Sequence, residues 1–227
     1  MEENLSISIA NELRKDILRG RLRPGDAIKE RDFAFKMGVS RTPMREAIRL
    51  LGNEGLIELR PSRSPIVANQ SKQMVADQIR LLVVLENLSA ELACKNATED
   101  DLGRIAGIAE TMAAQFDSTD AIDMFEIDMS FHLAVVKASH NASLVETYRT
   151  YLQRLWRARF LAASLDPNRK RLIREHRAIV DALLKRDPEA VKNAIQNHLG
   201  NLFRDVSNAL DREAEERKTL TSVGENK

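Results

Sequence analysis

The chain has 227 residues, a formal net charge of +1, 43% hydrophobic and 30% charged residues, 4% aromatics and a single cysteine. That length suits one large domain or two smaller ones, and the small stock of glycine and proline argues against a β-sandwich or barrel. One cysteine excludes an internal disulfide, no apolar run reaches membrane-spanning length, and the acidic start MEENLSISIA has no signal-peptide core. The expectation is a cytoplasmic protein with no membrane partner.

Charge is distributed unevenly. Thirteen basic and ten acidic residues precede position 70, against 22 and 24 after it, so any polyanion is expected to meet the N-terminal part. There, Ile9, Leu13 and Ile17 recur at helical spacing and Gly20 ends the helix. Pro24-Gly25 suits a turn. A second helix is expected over about Glu30–Met37, with Phe33, Ala34 and Met37 on one face. Gly38 turns the chain, Ser40 or Thr42 caps a third helix, and Pro43 sits in its first turn, where no intrahelical N–H is required. Met44, Ala47, Ile48 and Leu51 form the buried stripe of that helix, and Gly52 and Gly55 close it. LIELR, a four-residue turn and PIVA then predict a two-stranded hairpin.

Arg41, Arg45 and Arg49 lie four residues apart and share the face opposite the buried stripe. Cations at a helix start are locally unfavourable, because the first turn already carries partial positive charge. They make sense if an anion arrives. Two short helices joined by a glycine turn, the second basic on its outer face, predict a helix-turn-helix whose second helix enters a duplex major groove. Arginine there grips phosphate or pairs with a guanine edge. The alternative is a solvated basic face.

The run from ILRGRLRPGDAIKERDFAFKMGVSRTPMREAIRLL to GLIELRPSRSPIVA resembles the winged helix-turn-helix domain of GntR-type bacterial transcription regulators, over roughly residues 7–69. The resemblance implies DNA contacts from Arg31, Arg41, Thr42 and Arg45, with Ser40 beside them at the helix start and Arg49 reaching phosphate. At the wing tip Ser64 stands where the family has glycine, and Arg63 is the side chain placed to substitute for a close backbone approach.

A boundary is expected near Ala68–Lys72, giving a DNA-binding domain over 1–69 and a helical domain over 70–216. About six helices are expected there, with caps at Thr98, Asn141, Asp166 and Asp187. Residues 217–227 are polar and are expected to form a disordered tail. The fold class is mainly α. Cys94 is expected as a small buried hydrophobe and His140 as a surface cap residue.

Three histidines fall on apolar stripes. His132 lies with Phe125, Asp128 and Val135; His176 with Leu172, Ile179, Val180 and Leu183; His198 with Val191, Ile195 and Leu202. Asp128 and His132 are four apart and meet on one helix face. A carboxylate on a buried stripe is costly unless paired. Three imidazoles and a carboxylate suit a divalent metal ion such as zinc, nickel or manganese. A purely hydrogen-bonded Asp–His network is the alternative at the level of the site, and a helical-bundle metalloenzyme is the alternative at the level of function.

Residues 71–215 resemble the FCD ligand-binding domain of the FadR subfamily, through DMSFH (Asp128, His132), REH (His176) and NHL (His198). The resemblance implies those four as metal ligands, a small organic acid as effector beside the metal, and a homodimer acting on a palindromic double-stranded DNA operator. The family holds its effector with an arginine on the first helix of this domain. Leu82 stands there in this chain, so Arg80, Arg154 and Arg157 are the expected effector-binding residues, with Arg159 a further candidate in the same RLWRARF run.

Overall fold

The computed structural model describes residues 2–165 and 169–224 and divides into two compact units, the first ending at Ser71 and the second beginning at Lys72. Asp166 and Pro167, expected to open a helix, lie outside the described residues.

The first unit contains α1 (Glu2–Leu18), α2 (Glu30–Lys36), α3 (Arg41–Asn53) and a hairpin of β1 (Ile57–Glu58) with β2 (Ile66–Val67). The strands are antiparallel, pairing Ile57 with Val67 and Glu58 with Ile66. Ala27 bridges Ile66 on the other edge of β2. Ile9, Leu13 and Ile17 from α1 meet Met44, Ala47, Ile48 and Leu51 from α3, with Ile28, Ala34, Leu56, Ile57 and Val67 completing the core. Outside this core Arg14 of α1 donates to both carboxylate oxygens of Glu54 at 2.7–3.0 Å, a forked pair that fixes α1 to the end of α3.

Both α2 and α3 end in the same way. Gly38 has φ +65°, and the N–H groups of Gly38 and Val39 return to the carbonyls of Phe35 and Ala34. Gly55 has φ +72°, and Gly55 and Leu56 return to Gly52 and Leu51. Each is a paired glycine closure that satisfies carbonyls a helix end leaves open. Gly52 has a different use from the helix-closing one expected of it. It lies inside α3, and a Cβ there would come within 2.9 Å of the Leu59 side chain, so it makes room for the hairpin.

The second unit holds α4 (Lys72–Asn96), α5 (Glu99–Gln115), α6 (Ala121–Ala138), α7 (Ala142–Leu165), α8 (Arg169–Leu184), α9 (Pro188–Leu199) and α10 (Leu202–Gly224). These are seven helices among the described residues, one more than expected, because Gly200 and Asn201 break the run after α9. Helix α10 continues to Gly224, through most of the segment expected as a disordered tail.

The caps at Thr98, Asn141 and Asp187 form as expected. Thr98 and Asp101 exchange hydrogen bonds in a capping box. Asn141 accepts from the Leu144 N–H, and Asp187 from those of Glu189 and Ala190. Helix α6 is buried on most sides, packing on α4, α5 and α7. A helix with polar atoms on such an element must satisfy them internally. Cys94 is buried in the core of this unit.

A Cβ at Gly38 would meet no atom within 4 Å, so Gly38→Ala adds backbone strain and nothing else. We expect it to cost the first unit roughly 1–2 kcal/mol, read as an earlier urea midpoint in full-length protein. An unchanged midpoint would show that the left-handed turn is not required.

Candidate metal centre and nucleic-acid face

Helix α6 places Asp128 and His132 one turn apart, α8 supplies His176 and α9 supplies His198. One donor atom from each of the four lies within 4.8 Å of all the others. His176 Nε2 is 2.8 Å from Asp128 Oδ1, His132 Nε2 is 3.6 Å from the same oxygen, and the Nε2 atoms of His132 and His198 are 3.3 Å apart. The rings of His132 and His198 stack with centroids 5.1 Å apart.

The opposite nitrogen of each ring fixes the tautomer. His132 Nδ1 meets Glu86 Oε2 at 2.9 Å, His176 Nδ1 meets the Leu172 carbonyl at 2.8 Å, and His198 Nδ1 meets Glu175 Oε2 at 3.1 Å. A carbonyl and an ionised carboxylate only accept, so all three Nδ1 atoms donate. In the neutral rings each Nε2 then carries a lone pair turned toward the other three residues. Asp128 Oδ1 and His176 Nε2 are buried 2.8 Å apart. With Nδ1 donating to Leu172, a neutral His176 ring has no second proton to give that oxygen, so the two atoms face each other as acceptors. Convergent lone pairs with outer acceptors behind them fit a bound cation.

The charges around the cluster are arranged to keep its acids ionised. Burial works to raise the Glu86 carboxyl, but His132, Arg159 and the Tyr148 hydroxyl together hold it at about 2. Tyr148 Oη donates to Glu86 Oε1 at 2.8 Å and an Arg159 nitrogen lies 3.6 Å from that oxygen. Asp128 is likewise held well below the usual carboxylate range: burial opposes this, and His176, His132 and Arg159 outweigh it. Burial pushes the His198 imidazole well below its ordinary value, and the neighbouring His176 and His132 push it further.

A cavity of about 210 Å³ adjoins the cluster, lined chiefly by Phe116, Met124, Phe125, Phe160 and Leu172, with Asp128 shared between cavity and cluster. None of the arginines expected to hold an effector lines it. Arg80 is on the outer face of α4 and pairs with Asp77 at 2.9 Å. Arg154 is exposed beside the Tyr151 ring, and Arg157 pairs with Glu213. Helical phase explains this, since these positions turn away from the face of α4 and α7 that meets α6. Arg159 is the member of that run which turns inward, and it is 5% exposed.

Glu86 and Tyr148 escaped the sequence reading. Glu86 stands on the stripe Ile79, Leu82, Glu86, Ala90, Ala93, all buried, so the rule that singled out Asp128 would have found it. Nothing local marks Tyr148. His140 is exposed at φ +51° and meets Asp101 Oδ2 at 2.8 Å, outside the cluster.

In the first unit, Arg41, Arg45 and Arg49 are exposed on the outer face of α3, and Arg31, Thr42 and Arg63 are exposed as well. Ser40 holds the cap position, yet its side chain makes no capping bond. No acidic residue occupies the first turn. Glu30 of α2, not foreseen from sequence, faces both Arg45 at 3.2 Å and Arg41 at 3.6 Å. The wing differs from expectation. Ser62 takes the left-handed conformation at φ +56°. Ser64 is half-buried, with its carbonyl accepting from Arg60 Nε and Nη2 at 3.0 and 2.6 Å.

Two units of this kind, a winged helix-turn-helix and an all-helical bundle around a histidine-rich pocket, define a ligand-responsive class of DNA-binding protein. Residues 5–67 match the family described as bacterial regulatory proteins, gntR family, and residues 77–201 match the FCD domain. The chain therefore belongs to the GntR family of bacterial transcription regulators, in its FCD-containing branch.

It is 28% identical over 202 residues to the HTH-type transcriptional regulator YdhC of Bacillus subtilis, covering 88% of this chain and 90% of that one. It is 30% identical over 212 residues to the Uxu operon transcriptional regulator of Escherichia coli, covering 84% and 82%. Among solved structures, E. coli McbR/YncC superposes with a TM-score of 0.73 at 21% identity, over 92% of this chain and 98% of that one. The metalloenzyme alternative has no support in these matches, which are to regulators.

The lowered His198 value has a consequence for stability. In the unfolded chain this ring protonates near 6.5, whereas in the folded chain it stays neutral. Below that pH the unfolded state binds the extra proton, so stability falls as pH drops through about 6.5 and is fully present above it. Thermal melts of chelator-treated protein from pH 7.5 down to about 5.5 should show this fall, and His198→Gln should flatten it. A slope unaffected by the substitution would contradict the assignment.

Proposed function

We propose that this chain is a homodimeric cytoplasmic regulator that binds a palindromic DNA operator, and that a small organic acid held beside a divalent metal ion sets its affinity. The observation that carries this reading is the convergence of three Nδ1-anchored imidazoles and Asp128 on one buried point. Asp128, His132, His176 and His198 would hold the ion. Three neutral nitrogens and one carboxylate suit zinc, nickel or manganese. When bound, the ion supplies a Lewis-acidic position for an anionic ligand group.

On the DNA side, Arg45 and Arg41 are the residues we assign to base edges and phosphate, with Arg31, Ser40, Thr42 and Arg49 around them and Arg63 with Ser64 at the wing. Glu30 holds Arg41 and Arg45 as ion pairs in the free protein. An arriving phosphate or guanine edge takes over that pairing, which makes binding an exchange of partners and discourages non-specific capture. Homodimerisation is supported by exposed Leu81, Val84 and Leu88 on one face of α4. The FCD match over residues 77–201 supports the reading of ligand control, and the likeness to the Uxu operon transcriptional regulator supports that of operon control. A ligand acts only through different affinity for two arrangements of the paired DNA-binding units.

Arg45→Ala is expected to weaken binding to a duplex selected from a random pool by about 1–3 kcal/mol, with unchanged circular dichroism. Equal gel-shift titrations of the two proteins would remove the DNA assignment. Metal analysis should find about one divalent ion per chain, lost in His176→Ala. A metal content that ignores this substitution would remove the metal assignment.

A further inference from the structure

The cavity beside the cluster has a lining that selects its ligand. Five large apolar side chains, Phe116, Met124, Phe125, Phe160 and Leu172, enclose it from α6, α7, α8 and the chain between α5 and α6. Phe125 sits edge-to-face on Phe160 and on Trp156 at 5.5 and 5.3 Å, so that wall is a rigid aromatic group. The polar side chains are few. Ser164 already donates to the Phe160 carbonyl at 2.9 Å, which leaves the Thr119 hydroxyl and Asp128. Among the described residues, no lysine or arginine contributes to the lining.

Charge accounting gives the same answer. Glu86 is opposed by buried Arg159, and Glu175 lies within 3.8 Å of Arg171. Asp128 and one divalent ion sum to a single positive charge. One carboxylate neutralises that sum. A second carboxylate would be buried against phenylalanine and methionine with no counter-charge among the described lining residues, which is unfavourable. A polyhydroxy acid would leave hydroxyl groups without partners on the same wall. At about 210 Å³ the space equals roughly seven water volumes, room for a short chain or one ring.

We infer that the effector of this chain is a small monocarboxylate with an apolar body, its carboxylate turned toward the Asp128 end of the cavity and its body against Met124, Phe125 and Phe160. This inference rests on the metal reading above. Selectivity comes from the apolar wall, which discriminates against a second charge, and the single positive sum at the cluster, which demands the first.

The test uses the full-length chain loaded with zinc and titrated by calorimetry and thermal melting with four acids: hexanoate, benzoate, succinate and gluconate. We expect hexanoate or benzoate to bind at least tenfold more tightly than succinate and gluconate and to raise the melting temperature. Met124→Gln should lose most of that preference while still retaining stoichiometric zinc, and the retained zinc shows that the bundle has folded. Zinc binding with equal or tighter affinity for succinate or gluconate, or with no response to any of the four, overturns the inference alone. Failure to take up zinc, nickel or manganese overturns the metal reading and the inference with it. Preserved preference in Met124→Gln would show that the apolar wall does not select.

Discussion

Everything in the second unit follows from burying three imidazoles and two carboxylates inside a helical bundle. Each unpaired buried charge would cost several kcal/mol, more than a marginally stable domain can lose. The protein meets this constraint in two layers. The outer layer, Glu86, the Leu172 carbonyl and Glu175, takes a proton-bearing Nδ1 from each ring. The inner layer is left with three lone-pair nitrogens and one ionised oxygen facing each other. That inner arrangement is repulsive by itself, and it presents a cation with four donor atoms within 4.8 Å of one another.

Glu86 links this cluster to the rest of the bundle. Through one carboxylate it binds His132 of α6, Tyr148 of α7 and, at longer range, Arg159 of α7. Three helices are thereby tied at one buried point, and the orientation of the His132 imidazole depends on all of them. The cavity starts where this polar point ends. The step from a fully polar cluster to an aromatic wall occurs across Asp128, which belongs to both.

The first unit solves a different problem, that of keeping guanidinium groups outward on a helix only three to four turns long. Glycine closures at both α2 and α3 fix where the helix starts and stops, the apolar stripe fixes its rotation, and the single Glu30 carboxylate, shared between Arg41 and Arg45, offsets part of their charge. The hairpin packs close because Gly52 leaves room for Leu59.

Local rules in the sequence sufficed for much of this. Helical periodicity, capping residues and turn glycines act within a few positions, so the three helices and hairpin of the first unit, the caps at Thr98, Asn141 and Asp187, and the burial of Asp128, His132 and His176 were legible before any fold was known. A charge on an apolar stripe must find a partner, and that alone marked the site. Which partner it finds is a long-range matter. Glu86 lies 46 residues from His132 and 62 from Tyr148, and no local pattern reports that pairing. The inward turn of Arg159, the outward turn of Arg80 and Arg154, and the opening of a cavity at Asp128 were decided by how α4, α6, α7 and α8 rotate against one another. Packing sets that rotation, because it sums many weak contacts over the whole bundle.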